Sequence, residues 1–130
     1  MDVLLSIKPK YVKSIIEGDK RYEFRKAIFR NRSVHRVFIY ASAPVKRIVA
    51  QFEISAILED HPAVIWDRVR DNAGIDETEF FSYFAGRERG YAIGIGNLRE
   101  FETPVDPRVE IPGFVPPQSY CYMDGLPAAE

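Results

Sequence analysis

Over residues 2–8, Val3, Leu5 and Ile7 alternate with Leu4 and Ser6, and the alternation stops at Lys8-Pro9. A period of two sends successive side chains to opposite faces, so this stretch predicts a first strand. The period then changes: Tyr11, Val12, Ile15 and Ile16 recur at helical spacing, Pro9 suits a first helical turn, and Gly18 offers a left-handed cap. Residues 22–25 alternate again, which places Glu23 and Arg25 on one face and Tyr22 and Phe24 on the other. Two further strands are expected over Val37–Ser42 and Ile48–Leu58, where β-branched and aromatic residues dominate; the second is long enough to bend across a barrel. Helices follow from Pro62 to Ala73, stopped at Gly74, and from the capping-box variant Asp76-Glu77-Thr78-Glu79 to Gly86. Trp66, Phe80, Phe81, Tyr83 and Phe84 fall at helical spacings and read as core packed on a sheet. In residues 90–98, Tyr91, Ile93 and Ile95 alternate with Ala92, Gly94 and Gly96, so one strand face is bulky and the other admits close backbone approach. A last strand is expected at Ser119–Met123. Together these elements predict an α+β fold, a small, partly open mixed β-barrel with flanking helices.

No repeat or Gly/Ser linker interrupts the 130 residues, so one domain over 1–130 is expected, with 125–130 as a loose tail. Prolines concentrate between Pro104 and Pro117, and whether that segment closes over a cleft or lies flat stays open. Cys121 is the single cysteine, which excludes an intrachain disulfide and fits a reducing compartment. His35 and His61 have no ligand-spaced partner, so neither a metal nor a cofactor is expected. No basic leader precedes an apolar run, and charge or proline breaks every such run short of the roughly 20 residues a membrane helix needs. A cytoplasmic protein is the expectation. The glycines of 90–98 do not form a dinucleotide loop, because their spacing is incomplete and no helix follows.

Net charge is −1, which argues against a broadly basic nucleic-acid binder. Residues 1–50, however, carry 12 Lys/Arg against 4 Asp/Glu, whereas 51–130 carry 6 against 15. That asymmetry suggests either a local anion site on an acidic body or two halves that interleave and cancel in space.

The densest polar cluster is Gly18-Asp19-Lys20-Arg21-Tyr22-Glu23-Phe24-Arg25-Lys26. Read from the residues alone, it is equally a ligand cleft or a surface ion pair between Glu23 and Arg25 beside solvated lysines. Gly18, Lys20, Glu23 and Arg25 resemble the glycine, lysine, glutamate, arginine signature of the ASCH family in the PUA-like superfamily. The segments 5–11, 40–44 and 116–120 are similar to ASCH segments as well, so the resemblance spans about the whole chain. It implies a PUA-like barrel whose open cleft faces RNA, a nucleotide or a modified base. Arg25 would grip a phosphate or base edge, with Lys8, Lys20 and Lys26 as point charges. Glu23 would accept from an exocyclic amine while holding Arg25, and Tyr40 would stack on a base or serve as a core or rim tyrosine. Ser42, Gln118 and Ser119 would add short polar contacts if the last strand lies beside the first.

The expected function is a binding module for RNA or a nucleotide-like ligand, in RNA metabolism or in regulation linked to transcription or translation. The alternative is a hydrolase, either a ribonuclease or an amidohydrolase of acetylated cytidine. Some ASCH relatives perform the latter with a lysine, a threonine three residues later and a distant glutamate; here Glu23 stands in the threonine's place. Lys20 would be the base, its pKa lowered by Arg21, Arg25 and partial burial, and Glu53 offers a second carboxylate. A third reading is recognition of a protein partner by the acidic half.

Overall fold

The structure, a computed structural model, describes residues 1–126. Its strands are β1 (Asp2–Ile7), β2 (Tyr22–Arg25), β3 (Arg36–Ala41), β4 (Arg47–Asp60), β5 (Gly90–Val105) and β6 (Tyr120–Met123). Its helices are α1 (Pro9–Ile16), α2 (Pro62–Val69), α3 (Glu77–Tyr83) and α4 (Pro107–Glu110). The six strands form one mixed half-barrel in the order β2-β5-β4-β3-β1-β6. Only β1 and β3 run parallel, joined through a crossover that contains α1 and β2; every other neighbouring pair is antiparallel. This is the PUA-like α+β arrangement.

β1 lies between β3 and β6, and both of its faces are covered. Val3, Leu5 and Ile7 join Val12 and Ile15 of α1, together with Val37, Ile39 and Phe52, in one buried cluster. The alternate residues Leu4, Phe38 and Tyr40 join Ile48, Phe101 and Leu126 in a second. A third cluster gathers Phe24, Ile65, Trp66, Phe80 and Phe84, with Phe24 and Phe80 edge to face at 4.9 Å. Such pairs contribute about 0.5–1.5 kcal/mol beyond their burial.

Several boundaries differ from the sequence expectation. β5 runs to Val105 rather than stopping near residue 98, because register shifts in the β4–β5 ladder let both strands bend and keep pairing. Pro104 therefore sits within a strand, and Asp106 caps the short α4 through its side chain. α2 gives way at Arg70 to a 3-10 turn over Arg70–Asn72. Asp76 caps α3 as expected, accepting from the Glu79 N–H at 2.7 Å. His61 caps α2, accepting from the Ala63 N–H at 3.1 Å. The bare face of β5 meets the neighbouring strand: a Cβ on Gly94 would lie 2.3 Å from Ser55 Oγ. Of the segment expected as a loose tail, Leu126 is 1% exposed within the second cluster, and 127–130 lie outside the described residues. Among the described residues no helix is long and apolar enough to cross a membrane.

The basic and acidic halves interleave, β2 lying on β5 and β3 on β4. Lys10–Glu79 at 3.1 Å, Arg47–Asp106 at 3.7 Å and Arg32–Glu59 at 3.8 Å join the two halves. Part of the charge asymmetry along the chain is thus cancelled in space.

Candidate functional site

A cavity of about 530 Å³ opens where the end of β1, the start of α1, β2 and the end of β3 converge. The chain leaves β1 at Ile7 and enters α1 at Pro9, so Lys8 becomes the cap residue of α1 and stands at the cavity wall. After α1, Gly18 turns the chain at φ 88° and delivers Lys20 to a position held on two sides. The Lys20 N–H donates to the Ser14 carbonyl at 3.1 Å, and the residue forms an isolated bridge with Ala73. β2 then projects Glu23 and Arg25 onto one face, as the alternation predicts.

Arg25 is the organising group of the wall. It is 9% exposed and pairs with Glu23 at 3.1 Å, in a setting where both side chains are buried. One guanidinium nitrogen donates to the Ser6 carbonyl at 2.9 Å, and the other to Ser119 Oγ at 3.2 Å. Arg25 thereby ties β1 to the chain entering β6, and only Nε–H lacks an acceptor among the described residues. A buried donor without a partner costs about 1–3 kcal/mol, more on a charged group.

Lys20 is 3% exposed and has no ion pair among the described residues. Its Nζ donates to the Ala73 carbonyl at 3.3 Å and lies 4.2 Å from the Phe24 ring centroid. Burial pushes its pKa down to about 8, against the upward pull of Glu23 and Glu79, and Arg25 adds a small further depression. Arg21, expected to contribute, plays no part and is exposed on the turn. Glu53, expected as a second carboxylate, is exposed on β4 and bound to Asn97 at 2.6 Å, away from the cavity.

Of the residues nominated from sequence, Lys8, Lys20, Glu23, Arg25, Tyr40, Ser42 and Gln118 line the cavity. Lys26 and Ser119 do not. Lys26 is exposed, its Nζ 4.8 Å over the ring of Tyr83, while Ser119 acts through Arg25. Tyr40 is 3% exposed and its ring packs on Phe114 at 5.6 Å. It is a wall tyrosine, too covered to be a free stacking platform. Pro116 and Pro117 also line the cavity, so the proline-rich segment closes one side rather than lying flat.

Sequence reading missed Tyr11, Lys46 and Tyr83, all of which line the cavity. Tyr83, expected in the core, is 38% exposed because it falls off the α3 face that buries Phe80 and Phe84. Tyr11 donates a short hydrogen bond to Glu79. Burial and that bond raise the Tyr11 pKa, and the same bond holds Glu79 below its ordinary range. Lys46 adopts φ 54° in the turn after β3, a conformation nothing in its neighbours announces.

Residues 1–114 match the family described as "Domain of unknown function (DUF365)". The chain belongs to that family. It is also an ASCH domain, as the relatives that match nearly its whole length indicate. An ASCH domain-containing ribonuclease from Zymomonas mobilis is 29% identical over 124 residues, covering 94% of this chain and 84% of that protein. The crystal structure of ASCH from Zymomonas mobilis superposes with a TM-score of 0.85 at 28% identity, covering 95% of this chain and 87% of that one. A mutant of that protein gives the same score at 26% identity, over 95% and 90% of the two chains. The large ribosomal subunit protein uL22 of Ureaplasma parvum is 23% identical over 105 residues, or 80% of this ASCH domain, which spans only 33% of that relative.

Proposed function

We propose that this ASCH domain binds single-stranded RNA, seating one nucleotide in the cavity. The observation that carries the reading is the buried Arg25, fixed by Ser6, Ser119 and Glu23, within a wall that also presents Lys8, Lys20 and Lys46. A volume of about 530 Å³ suits one nucleotide and is too small for a duplex. The ribonuclease name of the Zymomonas mobilis relative points to the same ligand class.

The test is a titration of labelled single-stranded RNA into wild type, Lys20→Met and Lys8→Ala at low and physiological salt. Binding that weakens with salt is expected, with a shallower salt slope in Lys8→Ala and a loss of at least about tenfold in Lys20→Met. RNA that binds none of the three proteins, or binds all three alike, refutes the assignment.

A second reading is ribonuclease activity, and the Lys20 environment favours it. With a pKa of about 8, about one Lys20 in ten is a neutral amine at pH 7, able to take the proton of a 2′-hydroxyl as that oxygen attacks phosphorus and the 5′-oxygen departs with a proton from water. Arg25 would face the charge that develops on the phosphate oxygens. Turnover giving cyclic phosphate ends, lost in Lys20→Met even at RNA concentrations that saturate the variant, would distinguish catalysis from binding alone.

A further inference from the structure

A second hollow, of about 430 Å³, adjoins the cavity and is lined by Tyr11, Asp76, Thr78, Glu79, Ser82 and Tyr83. Tyr11 and Tyr83 line both hollows, so together they form the divide. Each is overlain by a surface lysine: Lys10 Nζ lies 4.9 Å from the Tyr11 ring centroid and Lys26 Nζ 4.8 Å from that of Tyr83. Lys10 also pairs with Glu79 at 3.1 Å, whereas Lys26 meets no carboxylate among the described residues. The two hollows have opposite character. The first is lined by Lys8, Lys20, Arg25 and Lys46 with Glu23 paired to Arg25; the residues lining the second include no cation, only two carboxylates, of which Glu79 is paired with Lys10, and the hydroxyls of Thr78, Ser82 and the tyrosines. Both carboxylates are engaged, Asp76 in capping α3 and Glu79 with Tyr11 and Lys10.

We infer that the second hollow is the subsite for the adjoining nucleoside of the same RNA strand, and that the linking phosphodiester crosses the tyrosine divide beside Lys26. This rests on the reading of the first cavity as an RNA site and extends it from one nucleotide to two. Asp76, which pairs with no cation among the described residues, disfavours a phosphate in the second hollow, and the side-chain oxygens there can meet the amino and hydroxyl groups of a base and ribose. The phosphate is left at the divide, where Lys26 is the unpaired cation. Tyr83, 38% exposed between the hollows, offers a ring face that any base can use.

The experiment is calorimetric titration of the four 5′-mononucleotides and of mixed-sequence dinucleotides carrying a 5′-phosphate. They are titrated into wild type, Ser82→Leu and Lys26→Ala. Ser82 and Lys26 are exposed, so both variants keep the core intact. Wild type is expected to bind dinucleotides at least about tenfold tighter than mononucleotides, a ratio that Ser82→Leu, by filling the hollow, collapses toward about one. Lys26→Ala is expected to reduce the dinucleotide's salt slope by about 0.7 and the mononucleotide's by much less. Equal affinity for the two ligand lengths, or a ratio that Ser82→Leu leaves intact, overturns the second subsite while the first stands. Failure of both ligands to bind removes the underlying reading and the subsite with it.

Discussion

Lys20→Met removes a buried charge while keeping most of the apolar stem, and the structure gives both the size and the sign of the result. The fall of the Lys20 pKa from 10.5 to about 8 means that the folded protein holds this proton less tightly than the unfolded chain does. At about 1.4 kcal/mol per tenfold change in affinity, keeping Lys20 charged in the folded state costs about 3 kcal/mol at pH 7. Methionine escapes that cost but leaves the Ala73 carbonyl without its donor, which takes back about 1 kcal/mol. A net gain of about 2 kcal/mol is expected, a rise in the urea midpoint of about 1 M for a slope of about 2 kcal/mol/M. Between pH 8 and 10.5 the unfolded chain still binds the proton and the folded protein does not, so wild-type stability rises with pH relative to the variant. The gap between the two should therefore narrow from pH 7 to pH 10. Urea titrations of both proteins at those two pH values make the comparison, and the difference cancels every other titrating group. A variant less stable than wild type at pH 7, or a gap indifferent to pH, would refute the claim that Lys20 is a strained, buried cation. The expected loss of RNA affinity in the same variant would make Lys20 a case of stability given up for function.

Gly74→Ala should destabilise by at least about 3 kcal/mol, because φ is +69° there and the new Cβ would lie 2.3 Å from Lys20 Cβ and 2.7 Å from its Cα. Gly86→Ala, also at positive φ but with nothing within 4 Å, should cost only about 1 kcal/mol, and thermal denaturation of the pair separates clash from backbone strain. Arg25→Ala leaves Glu23 buried without its partner and should cost about 3–5 kcal/mol, whereas the double variant Glu23→Leu/Arg25→Met should recover most of that in a urea titration while RNA binding stays abolished. Burial alone would raise the Asp2 carboxyl, but its hydrogen bond and charge contact with Arg36 at 2.8 Å outweigh it and hold the pKa below 3.8. That pair stabilises the protein above about pH 4 and fades as pH falls, so acid unfolding of Asp2→Asn should show a weaker pH dependence than wild type below pH 4.

Local periodicity was enough to identify the strand that carries Glu23 and Arg25, the helix that Asp76 caps, and the turn that brings Lys20 to the wall. Each of these depends on neighbours within a few residues, and a period of two or of 3.6 assigns their faces without knowledge of the rest of the chain. The resemblance to ASCH segments extended that reading to Lys8, Tyr40, Ser42 and Gln118, which do line one cavity. The tertiary structure decided what depends on partners far along the chain. Tyr11 meets Glu79 across 68 residues of sequence, and Lys20 is buried because Ala73 and Gly74 close over it. Glu53 stands outside the cavity, exposed on β4 and bound to Asn97, a partner 44 residues along the chain. Tyr83 looks like its neighbours Phe80 and Phe84 until the docking of α3 chooses which of them the sheet covers. Sequence determines which side chains share a face; only packing determines what that face meets, and with it the desolvation that shifts a lysine's proton affinity.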